Sequence, residues 1–249
     1  MASTLTRIML EIDDVSHTYP GGVQALHRVS LRVQRGEIVA VVGRSGCGKS
    51  TLLRIAAGLQ RPVDGRIVVD GDAVTGPRAD VSLMFQDASL LPWRTVRANV
   101  ALPLELRRST DASHVDEMLE LVGLQEFAHA RPAQLSGGMA QRCALARAMV
   151  LRPSVLLLDE PFGALDAFTR ESLTQSVYDL CRARGAAVLL VTHSVAEAIF
   201  LADRVVVLTA RPGRIAADIA VDLPHPRRWD FQRSPEFAAL VGRVRDALR

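Results

Sequence analysis

The chain predicts an α/β fold with an N-terminal antiparallel β subdomain and an inserted helical subdomain. Three observations predict it. From residue 38 onward, short apolar runs alternate with helical stretches, the pattern of βα units. The runs at 38–42 and 155–158 are continuously apolar, as strands buried on both faces are. Between them, residues 87–151 read as helical, and this stretch interrupts the alternation.

The elements follow in order. Residues 8–15 are mainly apolar with interspersed acids, and Tyr19-Pro20-Gly21-Gly22 turns the chain. Val29, Leu31 and Val33 alternate with Ser30 and Arg32, the period-2 pattern of a half-buried strand. Residues 38–42 form a buried strand, and residues 51–59 a helix that ends near Gly58. Residues 66–70 and 81–85 read as short strands. Val115, Met118, Leu119 and Val122 have helical spacing, with Asp111 as N-cap and Gly123 as stop. Residues 140–151 are a second helix. Strands resume at 155–158, 186–191 and 204–208, and 213–219 is expected to pair as a hairpin. Residues 234–248 read as a surface helix.

Composition narrows the class. The 249 residues are 49% hydrophobic and 23% charged, as in a folded globular protein. The net charge is +3 and the basic residues are scattered. Pairs such as Arg107-Arg108 and Arg227-Arg228 read as solvated surface, and no nucleic-acid partner is expected. No apolar run approaches the ~20 residues that span a bilayer. The first ten residues lack the apolar region of a leader. Cys47, Cys143 and Cys181 are widely separated and lack metal-type spacing. The chain is therefore expected to be cytosolic, reaching a membrane only through a partner.

Of the thirty cationic Lys and Arg residues, one is a Lys. It is Lys49, inside Gly43, Arg44, Ser45, Gly46, Cys47, Gly48, Lys49, Ser50 and Thr51. Arg is a broad planar fork, whereas Lys is a compact charge on a thin stem. The thin stem threads a tight Gly-rich turn to reach the β- and γ-phosphates of a nucleotide. The run matches Gly-x4-Gly-Lys-Ser between a buried strand and a helix, which is the phosphate-binding loop.

Two further motifs accompany it. Asp159 and Glu160 end an apolar strand, the edge where open α/β sheets bind ligands. One acid there suits Mg²⁺ shared with the Ser50 hydroxyl, and the next suits deprotonating a water. Ser136, Gly137 and Gly138 precede a helix, a second anion-binding cup. Two phosphate cups in one chain suggest a dimer in which each closes on the partner's nucleotide.

With these motifs, the chain resembles the nucleotide-binding subunit of an ABC transporter over residues 8–215. The order is phosphate loop, Gln86, Leu-Ser-Gly-Gly at 135–138, Asp159-Glu160, Gly163-Ala164-Leu165-Asp166, then His193. The resemblance implies a P-loop NTPase of the ABC ATPase fold, with ATP and Mg²⁺ as cofactors. It implies that Tyr19 stacks on adenine and that residues 43–51 cradle the phosphates. Gln86 meets the Mg²⁺ shell and senses the γ-phosphate. Ser136, Gly137 and Gly138 clamp the partner's γ-phosphate. Ser50 and Asp159 hold Mg²⁺, Glu160 is the general base, Asp166 couples the two sites and His193 bonds the γ-phosphate. The family signature usually ends in Gln where this chain has Met139, which cannot donate an amide hydrogen bond.

Leu90-Leu91-Pro92-Trp93, Met139, the run 162–166 and the run 210–215 (Ala-Arg-Pro-Gly-Arg-Ile) resemble the nitrate/sulfonate/taurine branch of bacterial importers. This implies an ATPase powering uptake of a small anion, first of all an aliphatic sulfonate, with taurine and nitrate as alternatives. It implies a second copy of the chain, an integral-membrane permease and, indirectly, an extracytoplasmic solute-binding protein as partners. The expected location is the cytoplasmic face of the bacterial inner membrane, held peripherally. Residues 8–220 are expected to form one ATPase domain and residues 221–249 a tail with one helix, without a regulatory domain. A soluble ABC ATPase acting outside transport is the alternative of another class.

Overall fold

The computed structural model describes residues 7–109 and 113–249. Two sheets organise it. The first is antiparallel, of β1 (Ile8–Thr18), β2 (Gln24–Gln34), β4 (Asp64–Val69) and β5 (Asp72–Ala73), in the order β2-β1-β4-β5. The second has the order β10-β9-β3-β8-β7-β6. It contains β3 (Ile38–Gly43), β6 (Val81–Met84), β7 (Val155–Asp159), β8 (Ala187–Val191), β9 (Arg204–Leu208) and β10 (Ile215–Ala220). Its strands pair in parallel, except β10, which runs antiparallel to β9 as the expected hairpin partner.

Successive side chains of a strand face opposite ways, and β3 shows the consequence. Ile38, Ala40 and Val42 enter one apolar core, while Val39 and Val41 enter the other. The second core lies between the two sheets and takes α1 (Lys49–Ala56). The first core takes α2 (Val96–Leu106), α3 (Ser113–Leu121), α4 (Gly137–Met149), α5 (Ala167–Arg184), α6 (Val195–Leu201) and α7 (Pro235–Ala247). The inserted helices thus share an apolar core with the sheet.

With both faces apolar, hydrophobicity alone cannot choose the register of the central strands. Polar ties at their start supply the choice. Asp203 accepts from the Ile38 N–H through Oδ2 at 2.9 Å, and its own N–H donates to the Ile38 carbonyl at 2.7 Å. Arg204 Nε donates to Glu37 Oε1 at 2.8 Å, locking β9 beside β3.

Most expected elements are present, with small shifts. The second inserted helix begins at Gly137, capped by Ser136, whose Oγ accepts from the Met139 N–H at 3.2 Å. Asp111, expected as an N-cap, lies outside the described residues. Three helices were not anticipated: α2, α5 and α6. One expectation is overturned. Arg227 is not solvated surface: it is 1% exposed, and its guanidinium donates to the carbonyls of Ile199, Phe200, Ala202 and Val221. A buried charge needs such partners, and here they tie the 221–249 segment to the C-terminal end of α6.

Candidate active site

The register of the parallel strands builds the site. Val191 of β8 pairs with Val41 of β3 on one side and with Asp159 of β7 on the other. Met84 of β6 pairs with Leu158 of β7. The segments leaving these strand ends are therefore the phosphate loop, the 192–194 turn, Glu160 and Gln86. Two strand spacings separate β3 from β7, about 10 Å, a span that a triphosphate bridges.

A cavity of about 570 Å³ opens at this edge. Its floor is the phosphate loop, with Gly43, Ser45, Gly46, Gly48, Lys49, Ser50 and Thr51. Tyr19 forms one wall, and Gln86, Glu160 and His193 face it. Lys49 is 8% exposed, and its ammonium donates to the Gly43 carbonyl at 2.9 Å and the Arg44 carbonyl at 3.2 Å. Gly48 has φ +103°, and a Cβ there would lie 2.7 Å from the Ala25 carbonyl oxygen. Only glycine meets both conditions. Cys47 is buried, with its Sγ 3.9 Å from Lys49 Nζ. The Tyr19 hydroxyl is 2.8 Å from Thr51 Oγ1, so the ring is fixed against the helix start.

Glu160 is the focus of the opposite wall. His193 Nδ1 lies 3.3 Å from its Oε2, and Gln86 Nε2 donates to the same oxygen at 3.3 Å. Its backbone is left-handed at φ 49°, an uncommon state for a non-glycine residue that is often found at functional sites. Gln141 of α4, which sequence reasoning missed, donates to the Glu160 carbonyl at 2.9 Å and the Gln86 carbonyl at 3.4 Å. It ties the helix begun by Ser136 to the strand end. Behind His193, Thr192 Oγ1 donates to the buried Glu197 carboxylate at 2.7 Å. The other Glu197 oxygen is 3.7 Å from Arg170 Nε, and Arg170 also donates to the carbonyls of Phe162 and Leu165. That chain of contacts fixes the turn between Glu160 and Asp166.

Asp159 is buried beside Ser50. Burial raises its carboxyl above the ordinary range, the Ser50 hydroxyl opposes this, and the Glu160 charge adds to the rise. The pair is a hard-oxygen donor set with a single carboxylate. Among the described residues no group of three His, Cys, Asp or Glu could hold a metal. A single carboxylate beside a hydroxyl suits Mg²⁺, which keeps waters and substrate phosphates as its other ligands.

Some expected site residues lie apart. Ser136, Gly137, Gly138 and Asp166 do not line the cavity of their own chain. Ser136 and Gly137 are exposed at the start of α4. Asp166 caps α5, its Oδ1 accepting from the Thr169 N–H at 3.1 Å, and hydrogen bonds from the Thr169 side chain and then its backbone lower its carboxyl. Gly138 faces the Ala164 carbonyl, 3.2 Å from where a Cβ would stand. Met139 packs half-buried against the apolar core.

This fold, with its phosphate loop, strand-end acids and facing histidine, defines a nucleotide-binding P-loop protein. The family described as ABC transporter matches residues 26–163, and the chain belongs to it. It is 43% identical over 252 residues to the nitrate import ATP-binding protein NrtD of Synechocystis sp., covering 96% of this chain and 95% of that one. It is 47% identical over 219 residues to the aliphatic sulfonates import ATP-binding protein SsuB of Bacillus licheniformis, covering 88% and 85%. A solved dimeric ATP-binding cassette in a post-hydrolysis state with ADP and Pi superimposes with a TM-score of 0.80. That cassette is 31% identical, with coverage of 87% of this chain and all of that one.

The buried Asp159 carboxyl carries a stability consequence. Its folded pKa lies above its unfolded value, so its protonated form favours the fold. That contribution is complete below about pH 4 and is lost as pH rises through the folded value. Asp159→Asn is therefore expected to raise the Tm at pH 7 without nucleotide or Mg²⁺, with the gain vanishing below about pH 4. Thermal melts across pH check this, and an unchanged or lower Tm at pH 7 contradicts it.

Proposed function

We propose that this chain is the ATP-hydrolysing subunit of a bacterial importer for a small anionic solute, working as a head-to-tail pair of copies. The observation that carries the reading is the convergence of Lys49, Glu160 and His193 on one cavity, while the Ser136 cup lies outside it. A site split in this way is completed by a second copy related by a two-fold axis.

Each residue then has a task. The Tyr19 ring takes the adenine face. Loop N–H groups and Lys49 hold the phosphates, with Arg44 and Cys47 as backbone members of the cradle. Ser50 and Asp159, with Gln86 in the outer shell, would hold Mg²⁺, which when bound neutralises phosphate charge. Glu160 takes the proton of the attacking water, its carboxylate held by Gln86 and His193. His193 also bonds the γ-phosphate. Ser136, Gly137 and Gly138 of the partner copy close over the same phosphate, and Asp166 relays between the two sites. Loss of the γ-phosphate removes the link between copies and lets them part. In this reading residues 8–220 form the ATPase unit, and the inserted helices carry the cup.

The permease contact is assigned to the loop before α2. Trp93 is 70% exposed there. The loop is nonetheless ordered by Asn99, which is fully buried: its Oδ1 accepts from the Leu91 N–H at 2.7 Å, and its Nδ2 donates to the carbonyls of Leu91, Arg94 and Thr95. A rigid loop presenting an exposed indole suits docking. No helix among the described residues is long and apolar enough to cross a membrane. Attachment to the cytoplasmic face of the inner membrane is therefore assigned to the permease, with the extracytoplasmic binding protein reached only through it.

Three outcomes test this. Glu160→Gln is expected to bind Mg-ATP and accumulate as a dimer, and a monomer by light scattering would sink the mechanism. Trp93→Ala is expected to abolish uptake in vesicles while leaving the ATPase rate of the isolated chain intact. Loss of that rate would count against the docking role. For the solute, the similarity to SsuB favours an aliphatic sulfonate, and that to NrtD keeps nitrate as the second reading. Deleting the gene should stop growth on an alkanesulfonate as sole sulfur source but not on sulfate. Normal growth on both would move the assignment to nitrate or taurine.

A further inference from the structure

The run at 210–215 shapes the cavity from outside the phosphate loop. The segment 209–214 is closed on itself: the Thr209 N–H donates to the Arg214 carbonyl at 2.9 Å, and Thr209 Oγ1 to the Pro212 carbonyl at 3.0 Å. It is docked on β2, where the Gly213 N–H donates to the Ala25 carbonyl at 2.9 Å and the Gly213 carbonyl accepts from the His27 N–H at 3.0 Å. It also touches the phosphate loop directly. A Cβ on Gly213 would stand 2.2 Å from the Cys47 carbonyl oxygen, so only glycine allows this approach.

Arg211 adds a directed contact. Its Nε donates to the Gly46 carbonyl at 3.1 Å, and the residue borders the same cavity as Lys49. A trans peptide points its C=O and the following N–H in opposite directions. Holding the Gly46 carbonyl toward Arg211 therefore turns the Cys47 N–H to the inner side of the loop. There it is found on the Arg44 carbonyl at 3.3 Å. Inward N–H groups are what a phosphate-binding loop offers its anion.

We propose that Arg211 is a positioning residue for nucleotide binding: through Gly46 it sets the peptide plane that aims the Cys47 N–H at the β-phosphate. The proposal rests on the reading of the cavity as the ATP site. The 209–214 segment is thus an external brace of the phosphate loop, and its effect falls on phosphates common to ATP and ADP.

The test is titration of the purified full-length chain with fluorescent ATP and ADP. A hydrogen bond from a charged donor sets the scale, so Arg211→Ala is expected to weaken both nucleotides about tenfold. KM for ATP should rise more than kcat falls. Arg211→Lys keeps the charge but lacks the Nε of the planar fork, and is expected to weaken binding to a similar degree. Gly213→Ala, which displaces the brace from Cys47, should do the same with Arg211 intact. Unchanged affinity in Arg211→Ala would overturn the proposal. Wild-type affinity in Arg211→Lys would overturn it too, reducing Arg211 to a charge at the rim. Lys49→Ala separates the two levels. If it abolishes binding while Arg211→Ala does not, only the brace fails. If it binds like wild type, the ATP-site reading fails and takes the brace with it.

Discussion

Val191 faces Val41 across one ladder and Asp159 across the other, and the site follows from that shared register. Each functional segment leaves a parallel strand within two residues of this line. A slip of one residue in β7 would rotate Asp159 and Glu160 to opposite faces. It would carry the acid from Ser50 while leaving the apolar cores nearly as well filled. On the other side of β3, Asp203 on Ile38 and Arg204 on Glu37 fix β9 at the start of the strands.

The site is built against local stability. Asp159 is buried with its carboxyl raised, and Glu160 holds a left-handed backbone. Neither arrangement favours folding. The surrounding contacts over-determine them. Gln141 holds the Glu160 carbonyl, while Glu197 and Arg170 brace the turns on either side. These supports span α4, α5 and α6, and Gln141 bonds the helix that begins after Ser136 directly to the strand end that carries Glu160.

Much of this was legible in the chain. The lone Lys, its glycines and the preceding strand located the floor of the cavity. The acids at 159–160 and the histidine after β8 located its wall. Three kinds of information were harder to read. The helix α2 contains Pro103, which ordinarily argues against a helix interior, and α6 has seven residues, too few to show a period. For α5 the signal existed: Leu173, Val177 and Cys181 repeat at four-residue spacing between the Asp166 cap and Gly185 in the left-handed conformation. Asp166 read only as a coupling residue concealed its role as a cap. Gln141, Arg211 and Arg227 had no local signature, because each acts chiefly on backbone carbonyls far away in sequence, whereas Asn99 closes the loop just before it, on Leu91, Arg94 and Thr95. Arg227 misled outright, since adjacent arginines read as solvated, whereas this one is enclosed by four carbonyl acceptors.

The central claim is that one chain holds an incomplete site and that two copies complete it. The most direct measurement is the ATP hydrolysis rate per molecule as a function of protein concentration, with the mass in solution followed by light scattering. The rate per molecule should rise with concentration and approach zero where the protein is monomeric. An undiminished rate in solutions shown to contain only monomer would contradict the claim.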